Sequence, residues 1–244
     1  MRTLLSALLL STAVTGLAMQ SPEPPLGETR LTVHTLLRED VFAGVRANDM
    51  KRFGRAERNL EILLKERPAD KASLLAWKGS MALFRAVLAH EAGRAAEFDR
   101  EFAASRDSFA EATRTSSGND GVAPIKGGTF VLLADRLPEA HRAAAWIESY
   151  GAFRELWKGQ APAVEKLPEH LRGELLSGLA ISAYRTGRTE ESNEFVDRMI
   201  ALLPETAYQA AAKQWKEKPG SVTLTCKSCH APGRLADRLA AISK

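Results

Sequence analysis

The chain has two cysteines in 244 residues, and both fall in one pentapeptide near its C-terminal end, Cys226-Lys227-Ser228-Cys229-His230. Thiols at this spacing can each add to one vinyl group of a porphyrin as a thioether, and an imidazole on the next residue reaches the iron from one face. This is the attachment pattern of a c-type haem. It makes Cys226 and Cys229 the covalent anchors and His230 an axial ligand of the haem iron. A bare C-x-x-C is ambiguous, and the histidine sharpens it. With five histidines in 244 residues, composition alone puts one at that position roughly once in fifty. A disulfide between Cys226 and Cys229 is the main competing chemistry, in an oxidising compartment. A zinc site would need two further ligands, and no second Cys/His pair stands at suitable spacing. A thioredoxin-like role lacks the βαβ pattern that accompanies it.

Covalent haem attachment takes place outside the cytoplasm, so it requires export, and the N-terminus reads as an export signal. Met1-Arg2 is a minimal positive region, and residues 4–10 with Ala13, Val14, Leu17 and Ala18 form an apolar stretch. Gly16-Leu17-Ala18 puts small residues where a signal peptidase would cut, just before the polar run from Gln20 to Pro25. Residues 1–19 are therefore the expected signal peptide, and the chain is expected to be periplasmic or otherwise exported, with no membrane span once the signal is removed. An uncleaved N-terminal anchor is the alternative. No cysteine lies near the cleavage site, which argues against a lipoprotein.

Hydrophobic residues make up 45% of the chain and charged residues 26%, as in soluble globular proteins. The formal charge of +4 comes from Lys and Arg dispersed among Asp and Glu. There is no block of like charge and no aromatic-basic interleaving, so no nucleic-acid partner is expected.

Between signal and motif the chain reads as helix after helix, rich in Ala, Leu, Glu and Arg. Leu74, Trp77, Met81, Phe84 and Leu88 recur every three or four positions, as one face of a helix must. Phe98, Phe102 and Phe109 mark a second stripe, and Trp146, Tyr150, Phe153 and Trp157 a third. Leu175, Leu176 and Leu179 begin a fourth, and Phe195, Val196, Met199 and Leu203 a fifth. One stretch breaks the pattern. Residues 115–129 hold Gly118, Gly121, Pro124, Gly127 and Gly128, a density that predicts a long loop of the kind that covers a site or binds a partner. Lys126-Gly127-Gly128-Thr129 has neither the spacing nor the preceding strand of a phosphate-binding loop. Lys218-Pro219-Gly220 ends the last long helix, and Leu235, Leu239 and Ile242 share one face of a short amphipathic helix over residues 234–242.

Within residues 172–205 two helices flank Thr186-Gly187-Arg188, and the second carries Ser192, Val196 and Met199 before Pro204. The same spacing occurs in Ala56, Leu60, Leu63 and Pro68, and the two prolines lie 136 residues apart, four periods of 34. This pattern resembles the tetratricopeptide repeat, with the central units degenerate. The resemblance implies an all-α fold of antiparallel helix pairs stacked as an array, whose concave surface binds peptides or proteins. An irregular helical bundle is the plainer alternative. The expected organisation is a linker at residues 20–35, a helical domain at 36–215 and a haem attachment tail at 216–244.

The pentapeptide resembles the motif of c-type cytochromes, and its place near the chain end resembles the cytochrome c′ type in particular. That resemblance covers little more than residues 225–234. Cytochrome c′ carries its motif within the last helix of a four-helix bundle, whereas Pro219-Gly220 stands just before it here. The other common type supplies a methionine ligand well downstream, and the fourteen residues after His230 contain neither methionine nor histidine. A second protein ligand to the iron must therefore come from Met50, Met81, Met199, His34, His90, His141 or His170, unless the position is vacant, water-bound or filled by a partner. Together these features imply one covalent haem c serving electron transfer, or a haem-bearing scaffold within a redox complex of proteins. No acid–base pair or nucleophile constellation stands out to make the chain an enzyme on its own. The competing readings are a periplasmic adaptor or assembly factor without haem, its cysteines a disulfide, and a haem enzyme such as a peroxidase with an open iron site.

Overall fold

A computed structural model describes residues 22–118, 121–225 and 233–243. The expected signal peptide and the three motif residues Cys226, Cys229 and His230 lie outside the described residues. Among the described residues the fold is all-α, with no strand.

Helix α1 (Val33–Ala47) opens on Thr32, whose hydroxyl accepts the Thr35 N–H at 3.2 Å, and closes on Asn48 in the left-handed region at φ 55°. Helix α2 (Met50–Glu66) opens on Asp49, whose carboxylate accepts the Arg52 N–H at 3.1 Å. Such side-chain oxygens satisfy amides that the first turn of a helix leaves without a partner. Then follow α3 (Lys71–Glu91), α4 (Ala95–Thr115), α5 (Val122–Leu133), α6 (Glu139–Gln160), α7 (Glu169–Arg185), α8 (Thr189–Leu202), α9 (Ala207–Glu217) and α10 (Arg234–Ile242). Consecutive helices pack in pairs: α1 on α2, α3 on α4, α5 on α6 and α7 on α8. Helix α9 continues onto α8, and α10 returns to α1.

Helix α3 is the centre, touching α1, α2, α4 and α5. Its expected stripe is its buried face, with Leu74, Trp77, Met81 and Phe84 at most 3% exposed. The stretch Pro68–Glu91 is long and apolar enough to cross a membrane, yet 78% of its most apolar window is buried inside the bundle, as a core helix requires.

The same connection joins α3 to α4 and α7 to α8. Gly93 (φ 70°) and Gly187 (φ 76°) take the left-handed conformation, and the N–H groups of Arg94 and Arg188 reach back to the Ala89 and Ala183 carbonyls. Helices α2 and α8 also end alike, on Arg67 (φ −125°, ψ 64°) and Leu203 (φ −127°, ψ 53°), each pushed out of helical geometry by the proline that follows.

The stretch 115–129 departs from the expected loop: α5 begins at Val122 and runs through it. Pro124 sits in the first helical turn, where its missing N–H would have had no partner anyway. Gly127 is inside the helix because the Phe153 ring of α6 lies against it; a Cβ there would stand 2.8 Å from a ring carbon. A glycine that reads as a loop signal is a packing requirement here.

The described segments that precede α1 and follow α9 are both tied to the bundle. The Arg67 guanidinium donates to the carbonyls of Leu26, Glu28 and Leu31, which fastens the segment before α1. The Ser177 hydroxyl of α7 donates to the Leu224 carbonyl at 2.8 Å, and the Leu224 side chain is buried. Beyond residues 226–232, the Leu235 N–H donates to the Glu39 carboxylate of α1 at 2.9 Å, and Leu235 is buried too.

Candidate functional site

A cavity of about 350 Å³ lies between α1, α3, α5 and α7, with Phe153 of α6 and Thr225 also on its wall. Helix α1 contributes His34, Arg38, Val41, Phe42 and Val45, which fall on one stripe of the helix. Trp77 of α3 and Leu132 of α5 add apolar surface, and Leu171 of α7, 52% exposed, forms an apolar part of the rim. The hydroxyls of Ser80 and Thr129 on the wall meet each other at 2.7 Å, and Thr129 donates on to the Ile125 carbonyl at 2.7 Å. The polar groups of greatest consequence are two imidazoles, two guanidinia and one carboxylate: His34, His170, Arg38, Arg46 and Glu174.

The His34 ring lies 5.3 Å from that of Trp77 at an interplanar angle of 39°. Burial, with Arg38 next and His170 last, holds its pKa down at about 3. The ring is therefore neutral at physiological pH. Burial also lowers the pKa of His170, partly offset by Glu174. The Nδ1 atom of His170 is 3.0 Å from the Tyr208 hydroxyl of α9, and that hydroxyl donates to Glu174 Oε1 at 2.7 Å.

A pH dependence follows. An unfolded histidine takes up a proton near pH 6.5, while His34 in the fold resists it down to about 3. Stability is thus fully present above pH 6.5 and is lost progressively as pH falls from 6.5 toward 3, at on the order of 1 kcal/mol per pH unit. Thermal melts between pH 7 and 4 are expected to show this decline, and a shallower one for His34→Leu. Equal slopes for both proteins would exclude His34 as its source.

Of the seven upstream residues whose side chains have the chemistry to ligate iron, the cavity brings together His34 and His170. Met81 and Met199 are core residues, 3% and 0% exposed, and Met50 packs against the core. His90 lies tilted against Phe98, and His141 lies tilted against Phe98 and Phe102. His90 is thirteen residues past Trp77, roughly 20 Å along α3 at 1.5 Å per residue. The expected aromatic stripe of α6 divides: Phe153 lines the cavity, while Trp157 packs edge-on against Phe195 of α8.

Sequence reasoning missed the stripe of α1, the wall supplied by α5, and Tyr208 with Glu174. One signal singles out the two histidines. Each is the second residue of its helix, and each stands 34 residues before the proline that follows its helix pair, Pro68 or Pro204. No family model, no curated protein and no solved structure matches the chain.

Proposed function

We propose that the chain is an exported helical protein carrying one haem c, joined to Cys226 and Cys229 with His230 on its iron, and seated against the α1–α7 cavity. The observation that carries this reading is Thr225, which immediately precedes Cys226 and lines that cavity. The flanks of the motif are held by the two helices that present the imidazoles, Leu224 by Ser177 of α7 and Leu235 by Glu39 of α1. The residues on the wall fit the group. Among the described residues no three His, Cys, Asp or Glu side chains gather as a bare metal ion would need. A porphyrin supplies four of the six iron donors itself and asks the protein for apolar walls and one or two axial ligands. Arg38 and Arg46 on the wall suit its carboxylates.

When bound, the haem supplies a one-electron iron couple. The apolar wall of the cavity would exclude water from the bound group, and the packed pairs are read as a tetratricopeptide-like array that meets a protein partner. The recurring glycine turn and the matching helix ends before Pro68 and Pro204 support that array. The role proposed is electron transfer, or scaffolding within a redox complex.

Expression with the machinery for covalent haem attachment is expected to add the mass of one haem and to give a two-thioether pyridine haemochrome. Cys226→Ala and Cys229→Ala should each give a one-thioether haemochrome, and the double variant should lose haem on denaturation. A folded, colourless protein with Cys226 bonded to Cys229 under those conditions would establish the haem-free adaptor instead.

A further inference from the structure

We propose that the floor of the cavity binds an uncharged, mainly apolar molecule carrying one hydroxyl or carbonyl group, with His34 as its polar contact. The site is built from helical residues alone and does not rest on the haem reading.

The walls set the apolar part of the ligand. Val41, Trp77, Ile125, Leu133 and Phe153 line the cavity from four helices, and each is at most 7% exposed. They form its floor, whereas Leu171 and Thr225, both more exposed, lie toward the rim. The volume of about 350 Å³ is within the range of pockets that hold small organic ligands, about 300–1,000 Å³. Water finds few partners on apolar walls, so an apolar molecule is the better occupant. A carboxylate carried to that floor would give up its hydration. The neutral His34 ring offers it no charge in return.

The polar atoms set the rest. Thr129 gives its one proton to the Ile125 carbonyl, and Ser80 then donates to Thr129, so both hydroxyls are satisfied. His170 is engaged with Tyr208. His34 differs. Among the described residues neither of its ring nitrogens makes a hydrogen bond, and its ring lies 5.3 Å from that of Trp77. Burial keeps the imidazole neutral at physiological pH, so it presents one N–H donor and one lone-pair acceptor. A ligand hydroxyl pairs with either nitrogen, and a carbonyl pairs with the N–H. The Trp77 indole N–H is also buried with no acceptor. Unpaired polar atoms are rare in folded interiors, and two neighbouring rings that carry them point to a bound polar atom.

The test is calorimetric titration of the full chain with 2-naphthol, an uncharged fused-ring molecule with one hydroxyl. One equivalent is expected to bind. Naphthalene should bind on the order of tenfold more weakly, the value of one hydrogen bond, and the 2-naphthoate anion should bind no better than naphthalene. His34→Leu should still bind naphthalene but lose the preference for 2-naphthol, a selective change that a loosened fold does not produce. Should His34→Leu fold poorly by circular dichroism, His34→Phe keeps a ring against Trp77 and is expected to show the same loss. No binding of 2-naphthol, equal affinity for naphthalene, tighter binding of 2-naphthoate, or an unchanged preference in the folded His34 variant overturns the assignment. The titration is repeated on the double variant Cys226→Ala, Cys229→Ala, prepared without haem, where the same affinity is expected. Binding by the double variant but not by the haem-loaded chain would put the haem itself on the floor, which overturns this site and leaves haem attachment standing. Binding by both, with no covalent haem in the wild type, overturns the haem reading and leaves this site standing.

Discussion

Replacing Asp40 with alanine is expected to destabilise the protein by about 3–5 kcal/mol, the usual cost of removing one partner from a buried ion pair. Asp40 is 2% exposed and accepts from Arg52 Nε at 2.7 Å and from Arg55 Nε and Nη2 at 2.5 and 2.7 Å. Those guanidinium side chains are only 18% and 13% exposed, so neither can return to water without moving α2. Arg52 also holds Glu39 at 2.9 Å, and Glu39 in turn accepts the Leu235 N–H. The damage should therefore travel from the α1–α2 interface to the docking of α10. Thermal melts should show a midpoint lower by on the order of 10 °C, and hydrogen exchange should rise at the Leu235 amide. The exposed pair Glu155–Lys158, about 70% exposed on both sides, is the control. Breaking it should change stability by less than about 0.5 kcal/mol. Replacing Asp40, Arg52 and Arg55 together by apolar residues of similar volume should recover much of the loss, because the charges are then absent rather than stranded. A fall of under about 1 kcal/mol for Asp40→Ala would show that the cluster stays hydrated in solution.

The helices were legible in the sequence where burial alone shapes the pattern. The α3 stripe from Leu74 to Phe84 is apolar because α3 is surrounded, and the short helix over residues 234–242 coincides with α10. Legibility failed where a residue type serves two physical ends. Gly127 signals a loop by composition, but in α5 it makes room for an aromatic ring packed from α6. His34 lies inside the segment read as a linker, one residue after the start of α1. The cavity joins residues 34 and 170, far apart in sequence, so their partnership depends on how the pairs stack. Tyr208 and Glu174 gain their meaning from the ring nitrogen of His170, a tertiary relation with no local pattern. The proposed haem attachment rests on five consecutive residues, Cys226 to His230, and so needs no tertiary relation to be noticed in the sequence.

Gly178→Ala should act in the opposite sense to most glycine-to-alanine changes within helices. A Cβ at Gly178 would stand 2.2, 2.3 and 2.5 Å from three ring carbons of Phe153, and Gly127 closes on the other side of that ring at 2.8 Å. The ring is wedged between α5 and α7, and the open space beside it is the cavity it lines. The methyl group therefore drives Phe153 toward the proposed haem face or pushes α6 away from α7, at a cost of about 1–3 kcal/mol. Gly151, in the middle of α6, has no atom within 4 Å of its Cβ position, and its substitution by alanine should stabilise by about 0.5–1 kcal/mol. The two identical substitutions thus differ in sign, and thermal melts read both. Phe153→Leu alone leaves a void and should destabilise by about 1 kcal/mol. Combined with Gly178→Ala it relieves the clash, so the double variant should lose less than the two single changes added together. The same ring movement should reduce the yield of haem-loaded protein in Gly178→Ala and restore it in the double variant. If Gly178→Ala were instead as stable as the wild type with full haem loading, the α5–α6–α7 junction would be looser than the 2.2 Å approach requires.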